Sequence, residues 1–310
     1  MLIEGLSSTK ESIKIPRSVG THDGTFHADE VTACALLLLF DLVDINKIIR
    51  TRQLDQLVKC EYVCDVGGIY NPEMKLFDHH QADYQGPLSS AGMILLHLKE
   101  TSMLSPREYD FFNNALILGV DAHDNGKDVL IPGIATYSQI VSNFTPITHD
   151  SDPVVLEDAF FTALRFAYSH LSRMWERYKY NRSCREVVSQ KMKESDICLV
   201  FDKSLPWLES FFELEGEQHP ALYVIMPSGR HWKLRCIPPS FANRMKVRRP
   251  LPESWAGLLD EDLKKVSGIP GAIFCHKGRF ISVWETKDDA MTALKYVLNT
   301  MPPSKVEVTE

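Results

Sequence analysis

The stretch SVGTHDGTFHADEVTACALLLLF, Ser18 to Phe40, decides the fold. A short run that ends at Thr21 reads as a strand, the polar segment around Gly24 as a turn, and the apolar run from Val31 to Phe40 as a buried helix. A bilayer crossing needs about 20 apolar residues, roughly twice that run, and Asp41 and Asp44 follow it closely. If His22 closes the strand and Ala28 opens the helix, the turn brings His22, His27 and Asp29 to one mouth. Asp29 and Glu30 would equally complement the positive end of a helix, so this motif alone leaves both roles open.

Working outward, the first part of the chain alternates short apolar runs with helical patterns. The expected strands are Ser18 to Thr21, Lys47 to Thr51, Tyr62 to Val66 and Lys75 to Phe77; the expected helices are Ala28 to Phe40, Ser90 to Lys99 and Pro106 to Val120. Strands separated by helices of this length predict βαβ units and a mainly parallel sheet. Ligands of such sheets collect beyond the carboxyl ends of the strands, where the polar clusters of this sequence fall. Gly126 to Pro153 reads as loop with one short helix at most, and Val154 to Glu194 as helix with a break at Asn181, Arg182 and Ser183. After Asp196 come the β-rich runs ICLVF, ALYVIM, HWKLRCI, GAIFCH and RFISVW, with hairpin turns at PSGR (Pro227 to Arg230) and HKGR (His276 to Arg279), then an amphipathic helix from Asp288 to Leu298. The fold class is thus α/β: a flexible segment 1–17, a mainly parallel-sheet domain 18–153, a connector of long helices 154–195, and a smaller α/β domain with a mixed sheet 196–310.

With 310 residues the chain has room for two domains, and its net charge of -7 argues against wholesale coating by nucleic acid while permitting a local basic groove. The seven scattered cysteines contain no C-x-x-C pair, which fits a reduced compartment. No secretory signal stands in MLIEGLSSTKESIKIPRS; its Ser, Thr and basic residues lean towards a transit peptide, and Glu4 and Glu11 lean against one.

Three more polar clusters match the first. Asp65 ends the apolar run of YVCDVGG, Asp78, His79 and His80 follow the run of LFDHHQ, and Asp121 ends the apolar helix of ILGVDAHDNG. A carboxylate at the negative end of a helix is unfavourable unless a cation lies near. Together His22, His27, Asp29, Asp65, Asp78, His79, His80 and Asp121 offer carboxylate and imidazole donors suited to Mn²⁺, Fe²⁺ or Zn²⁺, and to Mg²⁺ where carboxylates dominate. They exceed what one ion needs; two ions sharing a carboxylate would use them, and such pairs clamp the attacking and leaving oxygens of phosphoryl displacement. His97, His149, His170 and His219 lack such partners, and the aromatic residues of the long helix, Phe160 and Trp175 among them, read as packing.

In this order the pieces resemble the DHH superfamily of metal-dependent phosphoesterases. More narrowly, THDGTFHADE, DVGGIYNP, FDHHQ, VDAHDNG and SGIPGAIFCHKGRF resemble the melanocyte-proliferating-gene (Myg) family. The resemblance implies two divalent ions, Mn²⁺ or Mg²⁺, bridged by Asp65, with Asp29, His79 and Asp121 completing one site and His22 and His27 the other. His80 would face the scissile phosphate and Asp78 would orient a histidine. The superfamily pattern H-x-x-x-D-x-D stands here as H-x-x-x-x-H-x-D, a departure that the Myg family shares. The implied activity is a 3′-5′ exonuclease that hydrolyses single-stranded RNA to 5′-mononucleotides with a metal-activated hydroxide, in mitochondria or in the nucleus or nucleolus, with the cytoplasm also open.

The first domain would then be catalytic and the second would hold the strand. Arg244, Lys246, Arg248 and Arg249 lie in NRMKVRRP, and Arg230, Lys233 and Arg235 surround Trp232, a mixture that suits phosphate pairing and base stacking. Trp232 is equally a core candidate. His276 and Arg279, in GIPGAIFCHKGR, resemble the glycine-and-histidine substrate loop of DHH-associated domains. The partner expected is RNA, with no membrane and no obligate protein partner. A phosphatase of pyrophosphate or nucleotide bisphosphates, and a non-catalytic RNA-binding regulator, are the competing readings.

Overall fold

A computed structural model describes residues 13–127, 131–148 and 152–300. His149 and most of the expected N-terminal segment lie outside the described residues. The chain divides into two compact units, Met1–Trp175 and Glu176–Glu310.

The first unit runs β1 (Ile15–Thr21), α1 (Ala28–Leu39), β2 (Ile48–Arg50), α2 (Leu54–Leu57), β3 (Cys60–Cys64), β4 (Tyr70–Asn71), β5 (Leu76–Phe77), α3 (Ser90–Glu100), α4 (Pro106–Phe112), α5 (Leu118–Asp124), α6 (Tyr137–Ser142) and the start of α7 (Pro153–Ser183). The sheet order is β2-β1-β3-β5-β4. β1 pairs in parallel with β2 and β3, and β3 in parallel with β5, while the edge strand β4 is antiparallel to β5, so the sheet is mixed. A glycine at position 20 leaves room for Leu57 of α2 against β1, since a Cβ there would lie 2.7 Å from Leu57 Cδ2 and force that side chain to shift.

Parallel register aligns the strand ends. Gly20 is level with Val63, and Cys64 with Phe77, so His22, Asp65 and Asp78 emerge side by side at one rim. α1 is rich in Ala and Leu and free of Gly and Pro, as a stable helix requires. Every residue from Val31 to Leu37 is buried, and Leu36 and Leu37 share a core with Met93, Ile94 and Leu95 of α3 and with Phe112 and Phe160. Burying side chains of this kind contributes about 1.5–3 kcal/mol each relative to leaving them in water.

One expected helix is subdivided. Pro106 to Val120 is not continuous α-helix: α4 gives way to a π-helical turn at Asn113–Ile117, and α5 continues to Asp124. Asp121 therefore lies inside the helix rather than at its end, and the wider turn rotates the side chains that come after it.

The second unit contains the end of α7, then α8 (Arg185–Glu194), β6 (Cys198–Val200), α9 (Leu208–Glu213), β7 (Tyr223–Ser228), β8 (His231–Cys236), α10 (Asp260–Ser267), β9 (Ala272–Cys275), β10 (Ile281–Trp284) and α11 (Lys287–Thr300). The break between α7 and α8 falls at Cys184, one residue past the predicted one. Sheet order is β6-β7-β8-β10-β9, with β6 parallel to β7 and the other pairs antiparallel. Tyr223, Ile225, Leu234 and Trp284 face a core with Trp255, Leu263, Leu294 and Val297; Val224 and Met226 face another with Val188, Phe201, Trp207 and Phe211.

Candidate metal centre

Where β3 ends, the chain turns sharply. Asp65 has φ 58°, followed by Gly67 at 102° and Gly68 at 71°. The left-handed region tolerates Asp and Asn far better than a branched side chain, so a carboxylate is the group that can both make this turn and serve the site. The Asp65 amide donates to Phe77 O at 2.9 Å, which fixes the turn to β5. Its buried carboxylate meets three imidazoles: Oδ2 lies 3.3 Å from His22 Nε2, and Oδ1 lies 3.3 Å from His79 Nε2 and 3.4 Å from His80 Nδ1.

Burial works against charge on Asp65, but its hydrogen bonds from His22 and His79 prevail and hold the carboxyl well below the usual range. The same contacts act in reverse on the imidazoles. Burial pulls His22 down while Asp65 and Glu30 push it up to about 10; burial pulls His79 down while Asp124 and Asp65 push it up to about 10.

Asp29 stands in the first turn of α1, 1% exposed, and neither of its carboxylate oxygens has a hydrogen-bond partner. Burial, then the charges of Asp65 and Glu30, push its carboxyl well above the usual range. An unpartnered buried carboxylate is costly, and a cation would remove the cost. The donor atoms fall into three groups, each within 4.8 Å of one another: His22, His27, Glu30 and Asp65; Asp65, His79 and His80; and Asp29, His79 and Asp124. Oxygen and imidazole donors around orphaned carboxylate oxygens fit divalent cations such as Mn²⁺ or Mg²⁺, without thiolate.

Asp78 has its own task. Its Oδ2 accepts from Gly68 N at 2.6 Å, and its Oδ1 accepts from His79 N and lies 2.8 Å from His80 Nδ1. His80 is thereby fixed at one nitrogen while its side chain remains 64% exposed. Asp78 raises the His80 imidazole against the effect of burial.

Asp121 belongs to none of these three groups. Its Oδ1 accepts from Ser89 N, Ser89 Oγ and Gly92 N, capping α3 from across the chain, while Oδ2 is buried without a partner. A Cβ on Gly92 would collide with that Oδ2. Asp124, one helical turn later, reaches His79 Nε2 at 3.0 Å. Glu30, which accepts from the His27 amide and lies 3.1 Å from His22 Nε2, is the other site residue beyond those read from sequence. Both stand as second carboxylates within the same motifs.

A cavity of about 1170 Å³ opens on the cluster, lined among others by His22, His27, Asp65, His80, Arg50 and Arg52. In the second unit, Arg235 and Lys233 share a sheet face with Val283 and Phe274, whereas Trp232, on the opposite face, packs against the core with Lys287 Nζ 5.5 Å from its ring centre. Arg248 is turned inward and donates to the carbonyls of Gly216, His219, Ala221 and Pro238, which removes it from the expected strand-binding set. Arg244 is exposed beside Phe241. His276 Nδ1 accepts from Gly278 N, and Arg279, at φ 54°, donates its amide to His276 O, so both belong to one tight turn.

Comparison with known sequences adds the family context. The profile of the family described as MYG1_exonuc, Uncharacterised protein family (UPF0160), matches residues 18–298. A MYG1 protein of Chlamydia trachomatis serovar D is 52% identical over 286 residues, 92% of this chain and 98% of that protein. The MYG1 exonuclease of Homo sapiens is 30% identical over 333 residues, 94% of this chain and 88% of that protein. A crystal structure of RecJ from Thermus thermophilus in complex with Mn²⁺ aligns with TM-score 0.27 and 12% identity over 97% of this chain and 55% of that one, a likeness too low to carry an argument. Bacterial relatives have neither mitochondria nor a nucleus, so the family alone does not support the expected placement in those organelles. Among the described residues no helix is long and apolar enough to cross a membrane.

Proposed function

The chain belongs to the MYG1 exonuclease family (UPF0160), and from that membership we propose that it is a metal-dependent phosphodiesterase, specifically a 3′-5′ exonuclease of single-stranded RNA that releases 5′-mononucleotides. The observation that carries the reading is the Asp65 carboxylate, set in a left-handed turn among His22, His79 and His80 and beside the unpartnered Asp29. Relatives named exonuclease support the hydrolase class. The Asp78-His79-His80 motif supports, within this proposal, membership of the DHH superfamily.

His22, His27, Glu30 and Asp65 would hold one divalent cation, and Asp65, Asp29, His79 and Asp124 a second, with Asp124 taking the place expected of Asp121. When bound, the cations supply positive charge to the phosphodiester and make a water more acidic. The remaining work falls to the chain. Asp65 orients His22 and His79 at once. Asp78 accepts a hydrogen bond from His80 Nδ1 and favours the imidazolium, whose Nε2–H can then donate to a phosphate oxygen in the cavity. Arg235, Arg244, His276 and Arg279 of the second unit would hold the strand by phosphate pairing.

Incubation of 5′-labelled single-stranded RNA with the protein and Mn²⁺ or Mg²⁺ tests this. The expected result is a ladder shortening from the 3′ end, absent with chelator and in Asp65→Asn. Intact RNA alongside hydrolysis of pyrophosphate or a nucleotide bisphosphate would overturn the exonuclease, and metal binding with no hydrolysis of any of them would make the protein a non-catalytic binder.

A further inference from the structure

The rim that carries the metal cluster has a fourth strand end. Thr21 is paired with Arg50, so Arg52 stands two residues beyond β2, beside Asp23, just as His22 and Asp65 stand beyond β1 and β3. Across the sheet the order is therefore Arg52, His22, Asp65, Asp78, with adjacent strands spaced about 4.8 Å apart. Arg52 is displaced by one strand from His22 and by two from Asp65.

Two arginines line the cavity, and their surroundings differ. Arg50 is 1% exposed; it donates to Gly24 O at 2.6 Å, lies 3.3 Å from Glu157 Oε2, and sits 4.4 Å over the Phe160 ring. It ties the Gly24 turn to the start of α7 and is committed there. Arg52 is 65% exposed, and its contact is one loose ion pair, Nε to Asp23 Oδ1 at 3.4 Å, with Asp23 itself 58% exposed. Such solvated pairs are weak and exchange readily. Beside His22, His27 and His80, the cavity wall carries five carboxylates, Asp23, Asp65, Asp78, Glu157 and Asp158. Outside the reach of the cations, a polyanionic chain entering it meets repulsion unless a guanidinium answers the next phosphate.

We infer that Arg52 binds a non-reacting phosphate of the substrate, the neighbour of the one held at the metal cluster, by exchanging Asp23 for the phosphate. The inference rests on the proposed phosphodiesterase site, and it defines the ligand as a nucleotide bearing at least two phosphates. Contact with a non-reacting group is made equally in the ground and transition states, so its loss raises KM and leaves kcat. A guanidinium also grips phosphate in two-point fashion that an ammonium does not reproduce.

Calorimetric titration of the Ca²⁺-loaded wild type, Arg52→Ala and Arg52→Lys with adenosine 5′-monophosphate and with adenosine 3′,5′-bisphosphate tests the assignment. Arg52→Ala should weaken the bisphosphate about tenfold and the monophosphate less than twofold, with Arg52→Lys between, unchanged metal content and unchanged melting temperature. Equal losses on both ligands, no loss on either, or a wild type that prefers neither would overturn it. RNA cleavage run in parallel separates the two claims. Selective loss of the bisphosphate with RNA left intact by the wild type keeps the subsite and removes the exonuclease. Cleavage by a protein whose Arg52→Ala variant has wild-type KM and wild-type binding does the reverse.

Discussion

Asp65 is asked to do several things at once, and its variants separate them. Asn accepts the same left-handed backbone but lacks the charge and keeps only one acceptor oxygen, so Asp65→Asn should fold and lose metal-dependent hydrolysis by about a hundredfold or more. Asp65→Val should in addition lose about 1–2 kcal/mol of stability, read by urea denaturation, because a branched residue resists this φ. The histidines give a prediction with a sign. His22 and His79 are each raised to about 10, with burial opposing and their carboxylate partners prevailing, so both carry protons at neutral pH. Cation binding needs neutral imidazole and must displace those protons. Mn²⁺ affinity should therefore rise with pH between 6 and 8 (roughly the range where proteins stay folded), and calorimetry in buffers of different ionisation enthalpy should detect proton release; pH-independent binding would contradict the assignment of His22 and His79 as ligands. These residues were legible because polar groups at the ends of apolar strands have few other reasons to converge. Glu30 and Asp124 were not, because each stands in a motif with another carboxylate, and sequence order does not say which of two faces the site.

At the scale of elements, α3 and α5 divide the work of two aspartates. Asp121 caps the start of α3, and Asp124 reaches His79. Asp121→Ala should lower stability by about 0.5–2 kcal/mol through loss of that cap, and Gly92→Ala by about 1–3 kcal/mol, since its Cβ would collide with the Asp121 carboxylate. Asp124→Ala should leave stability nearly unchanged and reduce Mn²⁺ affinity about 10–100-fold. Urea titrations beside metal titrations check all three; a stability loss confined to Asp124→Ala would reverse the roles. The periodicity of Pro106 to Val120 predicted one helix and not the π-helical turn at Asn113–Ile117 that divides it, because one extra residue per turn leaves composition untouched while it rotates every later side chain. Strand β4 is two residues long and α9 six, below what periodicity resolves. The parallel core strands and the long α7 carried clear apolar patterns and were legible to within a few residues.

For the molecule as a whole, charge count and charge availability differ. Sequence composition marks NRMKVRRP as a basic run, yet Arg248 is committed to backbone carbonyls within the second unit while Arg244 is exposed. Arg248→Ala should destabilise the second unit by about 2 kcal/mol or more, because removal of a charged donor leaves several carbonyls unanswered. Arg244→Ala should leave stability unchanged, weaken RNA binding and reduce its salt slope by about 1. The change of texture after the long helical stretch predicts a second domain from residue 196, whereas the two compact units divide within α7, between Trp175 and Glu176. The most direct test of the central claim is an anomalous difference map of crystals grown with Mn²⁺. Two peaks on either side of Asp65, one beside His22 and His27 and one beside Asp29, His79 and Asp124, are predicted; a map with no peak at Asp65, or with its Mn²⁺ held by Asp121 instead of Asp124, would contradict the account.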